Sequence, residues 1–166
     1  EPWPAAPTGA AAHAGGAYAR DAAELTEQID GFFVHGDGPG APVAPAGSGK
    51  LRGLLAPHID FHRGGPTYAW AYRALAEHSD ADLFVILGTC HAGMEDPFAA
   101  TLKPYDTPLG AAEADREFFE ALHRRYGHDL LASEPAHRSE HSIEFQAVML
   151  RRMLGSRPFN ILRVLA

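Results

Sequence analysis

Apolar residues recur along this chain with two periods, helical and strand-like, in alternation. Leu25, Ile29, Phe32 and Phe33 fall at i, i+4, i+7 and i+8, one face of a helix. Asp21 followed by Glu24 has capping-box spacing, with Asp in the place of Ser or Thr. His35–Lys50 is rich in Gly and Pro and reads as a linker loop. Leu51–Ala56 is a short apolar run stopped by Pro57, which lacks the N–H a ladder needs, so it predicts a buried strand ending near Ala56. Pro66 suits the first turn of a helix whose apolar face is Tyr68, Ala69, Tyr72 and Leu75. Leu83–Leu87 (LFVIL) is a second apolar strand. Strand, loop, helix and strand in this order predict a parallel pair with a right-handed crossover.

Further along, Pro97–Leu102 and Leu130-Leu131 read as short strands and Tyr105–Gly110 as a loop. Asp115–Tyr126 predicts a helix with Phe118, Phe119 and Leu122 inward and Gly127 as its stop. Ser139 is placed to cap a helix carrying Ile143, Ala147, Leu150 and Leu154. Phe159–Ala166 is an apolar strand. Left at a sheet edge, such a strand invites pairing with another chain, so either its edge is protected or, the favoured reading, the chain is part of a larger protein. Residues 1–12, rich in Pro and Ala, read as a flexible tail ahead of one domain over 13–166. The expected architecture is α/β, with a central, largely parallel sheet flanked by helices.

Composition narrows the function. The chain has 166 residues, 46 % hydrophobic and 21 % charged, as in ordinary soluble domains. Its net charge is −7 and no basic stripe is present, which disfavours nucleic acid as a partner. No apolar run approaches the length of a membrane span. The single cysteine excludes an internal disulfide framework and, with no signal-like leader, sets a cytoplasmic location as the expectation.

Ten histidines are many for this length, and histidine is both a neutral-pH proton carrier and the commonest metal ligand. His58 and His91 each follow a predicted strand. In open α/β sheets ligands sit outside the carboxyl edge of the strands, so both imidazoles can meet there and hold Fe, Cu or Zn if a third donor joins them. Ordinary hydrogen-bonded loop histidines are the alternative. Asp60 and His62 could orient His58, or Asp60 could cap a turn ahead of Gly64-Gly65. Arg63 could bind a substrate carboxylate or form a surface ion pair. Cys90 is a nucleophile or soft ligand if activated and an inert core thiol otherwise, so a metal-free hydrolase using it stays a third option. His141 and Glu144 lie three apart at a helix start and share a face, where they could supply an acid/base group or another ligand. Capping explains Glu140 and Glu144 but not His141. His13 is a loop histidine that could fold back on the site.

Five segments in order resemble the Memo family, the protein B component of the AmmeMemoRadiSam group. His13-Ala14-Gly15 with Tyr18 resembles its HAGxWY, with Ala17 in place of Trp. Leu55-Ala56-Pro57-His58 resembles its APH segment, and Ile86–His91 its ILGPSH. Thr107-Pro108-Leu109-Gly110 and Glu140–Glu144 match TPLG and EHSxE. The chain departs from the family at Asp60, His62 and Cys90. The resemblance covers about residues 13–166 and implies a fold similar to LigB-type extradiol dioxygenases, which are non-haem iron enzymes. By that likeness His58 and His91 are metal ligands, Fe(II) first and Cu or Zn after it. A third ligand is not identifiable in this chain and would come from a C-terminal part of the family domain that has no counterpart here. His141 and His13 would be catalytic, and Asp60, His62, Arg63, Cys90 and Glu144 would meet substrate. The implied activity is O₂-dependent oxidation of a small aromatic or phenolic substrate. The alternative is a non-catalytic signalling or binding protein that holds a peptide or protein partner in the same pocket.

Overall fold

The computed structural model describes residues 6–43 and 51–166. Asp21 accepts the N–H groups of Ala23 and Glu24, satisfying two donors that the first turn leaves free. Helix α1, Ala22–Val34, follows and buries Leu25, Ile29 and Phe33 as the spacing predicts. Helix α2, Phe61–His78, begins earlier than expected. Asp60 rather than Pro66 sets its start, by accepting the Arg63 N–H at 3.1 Å, and Pro66 lies inside the helix. A Cβ on Gly65 would lie 2.4 Å from the Phe32 ring, so glycine is what lets α1 rest on α2.

Strand β1 is Gly9–Ala10, β2 Leu83–Gly88, β3 Ala99–Thr101, β4 Tyr105–Thr107, β5 Gly110–Ala114 and β6 Asn160–Leu165. Their order is β1-β4-β5-β6-β2, with β3 pairing β6 off this path. Pairs β1–β4, β5–β6 and β6–β2 are parallel; β4–β5 and β3–β6 are antiparallel. Helix α3, Arg116–Tyr126, starts at the Asp115 cap and stops at Gly127, whose φ of 77° is left-handed. Helix α4, His141–Leu154, is capped by Glu140, not Ser139. Helices α1, α2 and α4 share one core with Ile86, Ile161 and Leu165. A smaller cluster unites Ala100, Phe119, Leu130, Leu162 and Val164. This is the α/β arrangement expected, with a mixed sheet that is mostly parallel.

Several elements differ from the sequence reading. Gly9–Ala10, assigned to the tail, pair with β4; residues 1–5 lie outside the described residues, as do 44–50 of the linker. Tyr105–Gly110, read as a loop, supplies β4 and the start of β5. Leu130-Leu131 forms a turn, though the Leu130 carbonyl accepts the Ala100 N–H at 2.7 Å. The last apolar strand is central rather than at an edge, since β6 pairs β2, β3 and β5. Leu51–Ala56 is not a strand at all: it lies outside the sheet, with Leu55 95 % exposed. His137 is in a 3-10 segment, Glu134–Arg138, its Nε2 3.1 Å from the Ala99 carbonyl. Burial pushes its pKa down to about 3, and nearby Arg163 adds to the shift.

Candidate metal centre

Three polypeptide segments bring three imidazoles together. His58 ends the extended segment ahead of α2, which two contacts pin: Gln146 Nε2 donates to the Pro57 carbonyl and the Tyr68 hydroxyl donates to that of Ile59. His91 follows β2 on a loop fixed to α4 by a 2.9 Å hydrogen bond from Ser142 Oγ to the Thr89 carbonyl. Gly88 permits this approach, because a Cβ there would meet Ile143 Cγ1 at 2.4 Å. His141 is the first residue of α4. The His91 and His141 rings stack with centroids 4.5 Å apart, and the His58 ring lies 5.2 Å from the first and 5.8 Å from the second. One nitrogen from each ring lies within 4.8 Å of the others.

Glu140 organises two of these rings. Its Oε1 is 3.0 Å from His91 Nδ1 and 3.4 Å from His141 Nδ1, and its Oε2 accepts the His91 backbone N–H at 2.7 Å. It also accepts the N–H groups of His141 and Ser142 as the α4 cap. Burial alone would raise its carboxyl pKa, but these backbone N–H groups and the His91 ring outweigh that and hold it at about 2. An ionised Glu140 draws Nδ1–H of His91 toward itself and leaves Nε2 as a lone-pair donor, the arrangement that fixes metal-binding histidines. Burial also lowers the His141 pKa against the pull of Glu140, which favours the neutral, ligating form. The donor set therefore fits a divalent transition metal: three imidazoles, two of them oriented by a carboxylate behind them.

One turn along α4, Glu144 is fully buried. It accepts the Tyr18 hydroxyl at 2.5 Å, the Tyr105 hydroxyl at 2.7 Å and the His13 backbone N–H at 2.9 Å, with His13 Nδ1 at 2.8 Å. Burial and the adjacent carboxylate push both phenols up, so they remain donors. Glu144 thus has no free face for a substrate, contrary to expectation; it positions His13, whose ring lies 5.6 Å from that of His141.

A cleft of about 610 Å³ opens over the cluster, lined by Pro57, Ile59, Asp60, Arg63 and Phe145 besides the three histidines. The structure thus brings His58, His91, His141, Asp60 and Arg63 to one place. Arg63 donates from Nε to Asp60 Oδ2 at 2.5 Å, the ion-pair alternative, and this bond holds the Asp60 carboxyl below its usual range. His62 points off exposed on α2 and does not line the cleft. Nor does Cys90, which is half-buried against the main core. The sequence reading left the third ligand outside this chain; the structure brings a third imidazole, that of His141, within reach of the same ion as His58 and His91. Glu140, Tyr18 and Tyr105 are the residues that sequence reasoning missed. The glutamate's capping role hid its second one, and no pattern links residues 105 and 144.

Fold and site together define an α/β protein with a histidine cleft suited to a metal ion. The sequence signature of the Memo-like protein family matches residues 10–165, and the chain belongs to that family. It is 40 % identical to a MEMO1 family protein of Methanopyrus kandleri over 86 % of this chain and 50 % of that one. A Pyrobaculum aerophilum member is 35 % identical over 80 % and 47 %, and one from Methanothermobacter thermautotrophicus 37 % over 79 % and 47 %. The chain spans about half the length of these relatives.

Proposed function

We propose that this chain binds a divalent metal, Fe(II) before Cu or Zn, on His58, His91 and His141, and that the cleft carries out O₂-dependent oxidation of a small aromatic or phenolic substrate. The observation behind it is the three-nitrogen cluster with Glu140 at its back. Bound there, the metal would supply Lewis-acid and redox chemistry and a template for the substrate. The chain's own groups do the rest. Pro57, Ile59 and Phe145 offer apolar surface to an aromatic ring. His13 does not line the cleft itself; held at Nδ1 by Glu144 with its ring 5.6 Å from that of His141, it is the proposed relay for the proton of a phenol.

The second reading, a peptide or protein partner without turnover, is supported by the exposure of His58 and His91 at an open cleft. Metal analysis of the purified protein beside H58A and H91A, followed by oxygen uptake with catechol, separates the two. Stoichiometric metal lost in both variants and metal-dependent oxygen uptake support the first. Metal binding without uptake for any phenol favours the second, and no metal at all removes both its chemistry and its premise. Chelators that leave an activity intact while alkylation of Cys90 destroys it would restore the hydrolase option.

A further inference from the structure

Two phenols meet one carboxylate beneath the cleft. Tyr18 and Tyr105 are 1 % and 3 % exposed, and Glu144 between them is fully buried. Satisfying the carboxylate accounts for their hydroxyls, and any hydroxyl would serve. A phenol adds an electron that a strong oxidant can remove. The obstacle is the proton: a phenol stripped of one electron is a strong acid, so its oxidation needs a base waiting at the hydroxyl. Tyr68 and Tyr72 lack one. They donate to the Ile59 carbonyl and to the two amide oxygens of Gln146, which do not take a proton near neutral pH. Among the described residues, Tyr18 and Tyr105 are the phenols with a carboxylate acceptor.

These two are not equivalent. The Tyr105 hydroxyl also lies 3.1 Å from the Ala10 carbonyl, and the Arg163 guanidinium sits over its ring, 4.9 Å from the centroid. A fixed positive charge there opposes loss of an electron from that ring. Tyr18 carries no such charge over its face and donates to Glu144 Oε1 at 2.5 Å, within the range of O–H···O⁻ bonds. Its ring lies 6.0 Å from that of Phe145, which lines the cleft 5.5 Å from the His141 ring. Two ring-to-ring steps therefore join Tyr18 to the cleft, while solvent does not reach it.

Glu144 is suited to hold the proton. Taking it up neutralises a buried charge. The His13 N–H stays on Oε1 and the Tyr105 hydroxyl on Oε2, so the acid remains in place to give the proton back. Burial pushes the Tyr18 phenol up, which keeps it protonated until an electron leaves.

We propose that Tyr18 and Glu144 form a redox-active pair that quenches organic peroxyl radicals in the cleft. Tyr18 loses one electron by way of Phe145, its O–H bond breaks, and the proton goes to Glu144 Oε1. The peroxyl radical gains that electron and a proton from water in the open cleft, and leaves as a hydroperoxide. Tyr18 is then a neutral phenoxyl radical and Glu144 a neutral acid. One electron from an enediol reductant of the ascorbate type, with the proton returned by Glu144, restores both. Carbon radicals that trap O₂ become peroxyl radicals, so the source of the oxidant rests on the O₂-dependent reading above; the pair itself does not.

The test is one-electron oxidation of the purified chain by flash-generated ruthenium(III) tris-bipyridine, read by electron paramagnetic resonance. A Trp70→Phe, Tyr126→Phe background removes an exposed indole and a half-buried phenol as competing donors. A tyrosyl signal is expected, recognised by its collapse when ring-deuterated tyrosine is incorporated. Tyr18→Phe should lose it and Tyr105→Phe should keep it. Should Tyr18→Phe not fold, 3-fluorotyrosine at position 18, which retains ring and hydroxyl, should add fluorine splitting to the signal. The infrared difference spectrum of the same flash should gain a protonated-carboxyl band in step with the radical. Peroxyl radicals released by a water-soluble azo initiator should raise the same signal. No tyrosyl radical, or one that survives Tyr18→Phe or shows no fluorine splitting, overturns the proposal. A radical without the carboxyl band removes Glu144 as the acceptor, and one raised by ruthenium alone removes the peroxyl assignment. These readouts use neither metal nor substrate, so the proposed function stands or falls separately.

Discussion

Glu140 and Glu144 sit one turn apart at the start of the same helix, and each holds histidine. Glu140 caps the helix, lies behind the histidines of the cleft and binds His91 and His141, of which His91 is exposed to solvent. Glu144 is sealed beneath and binds His13 together with two phenols. Both carboxylates are nearly or wholly inaccessible, 5 % and 0 % exposed, so burial does not separate them. Their partners do. Backbone N–H groups dominate around Glu140, and the imidazoles it orients keep a second nitrogen for a metal. Side chains drawn from distant segments surround Glu144, and they tie the N-terminal loop and β4 to α4. One carboxylate tunes a site; the other joins the fold that carries it.

Replacing the ligands breaks the comparison most sharply. H58A, H91A and H141A should each abolish stoichiometric metal uptake, read by elemental analysis, while the unfolding transition of the first two stays near that of the parent. Glu144→Ala should do the reverse. It strands two buried phenols and an N–H group, each unmet donor costing about 1–3 kcal/mol. The melting temperature should fall by roughly 10 °C or more. Metal affinity measured well below that temperature should change little. A Glu144→Ala protein that melts like the parent would sink the structural role.

Glu140→Gln is the milder counterpart. It keeps the shape but loses the charge that orients His91, and metal affinity should fall about 10- to 100-fold in a competitive chelator titration. The loss of stability should be that of a weakened helix cap, about 1 kcal/mol.

Acid sharpens the contrast further. The Glu140 pKa is lowered on folding from 4.5 to about 2, so its contribution is full above pH 4.5 and is lost as pH falls through about 2. For His137 the folded value of about 3 lies below the ordinary 6.5, so the unfolded chain takes up the proton first. Stability therefore falls as pH drops from 6.5 toward 3. Urea midpoints across pH 7 to 3 should decline in the parent, less steeply above pH 4.5 in His137→Gln. An unchanged upper slope in that variant would show that His137 is not the source.

What the sequence disclosed follows the same division between local and distant causes. Helix α1, β2, α3 and β6 were legible because their caps and periods lie within the element. The antiparallel pair β4–β5 was not: Tyr105–Ala114 carries little apolar alternation, and Pro108-Leu109 disguises a tight connection. Leu51–Ala56 misled because composition can specify a strand only if an edge is there to pair with it. The histidines of the cleft were legible from their residue types and positions. Glu140's hold on two rings was not, because it depends on the loop after β2 folding back onto α4.

The contact between His13 and Glu144 spans 131 residues of sequence. A ribosome adding about 5–20 residues per second exposes the loop histidine on the order of ten seconds before its carboxylate partner exists. During that interval the Tyr18 hydroxyl and the His13 N–H lack the carboxylate they meet in the folded chain. The buried end of α4 therefore closes only once residues 13, 18, 105 and 144 have all been made, Glu144 last of the four.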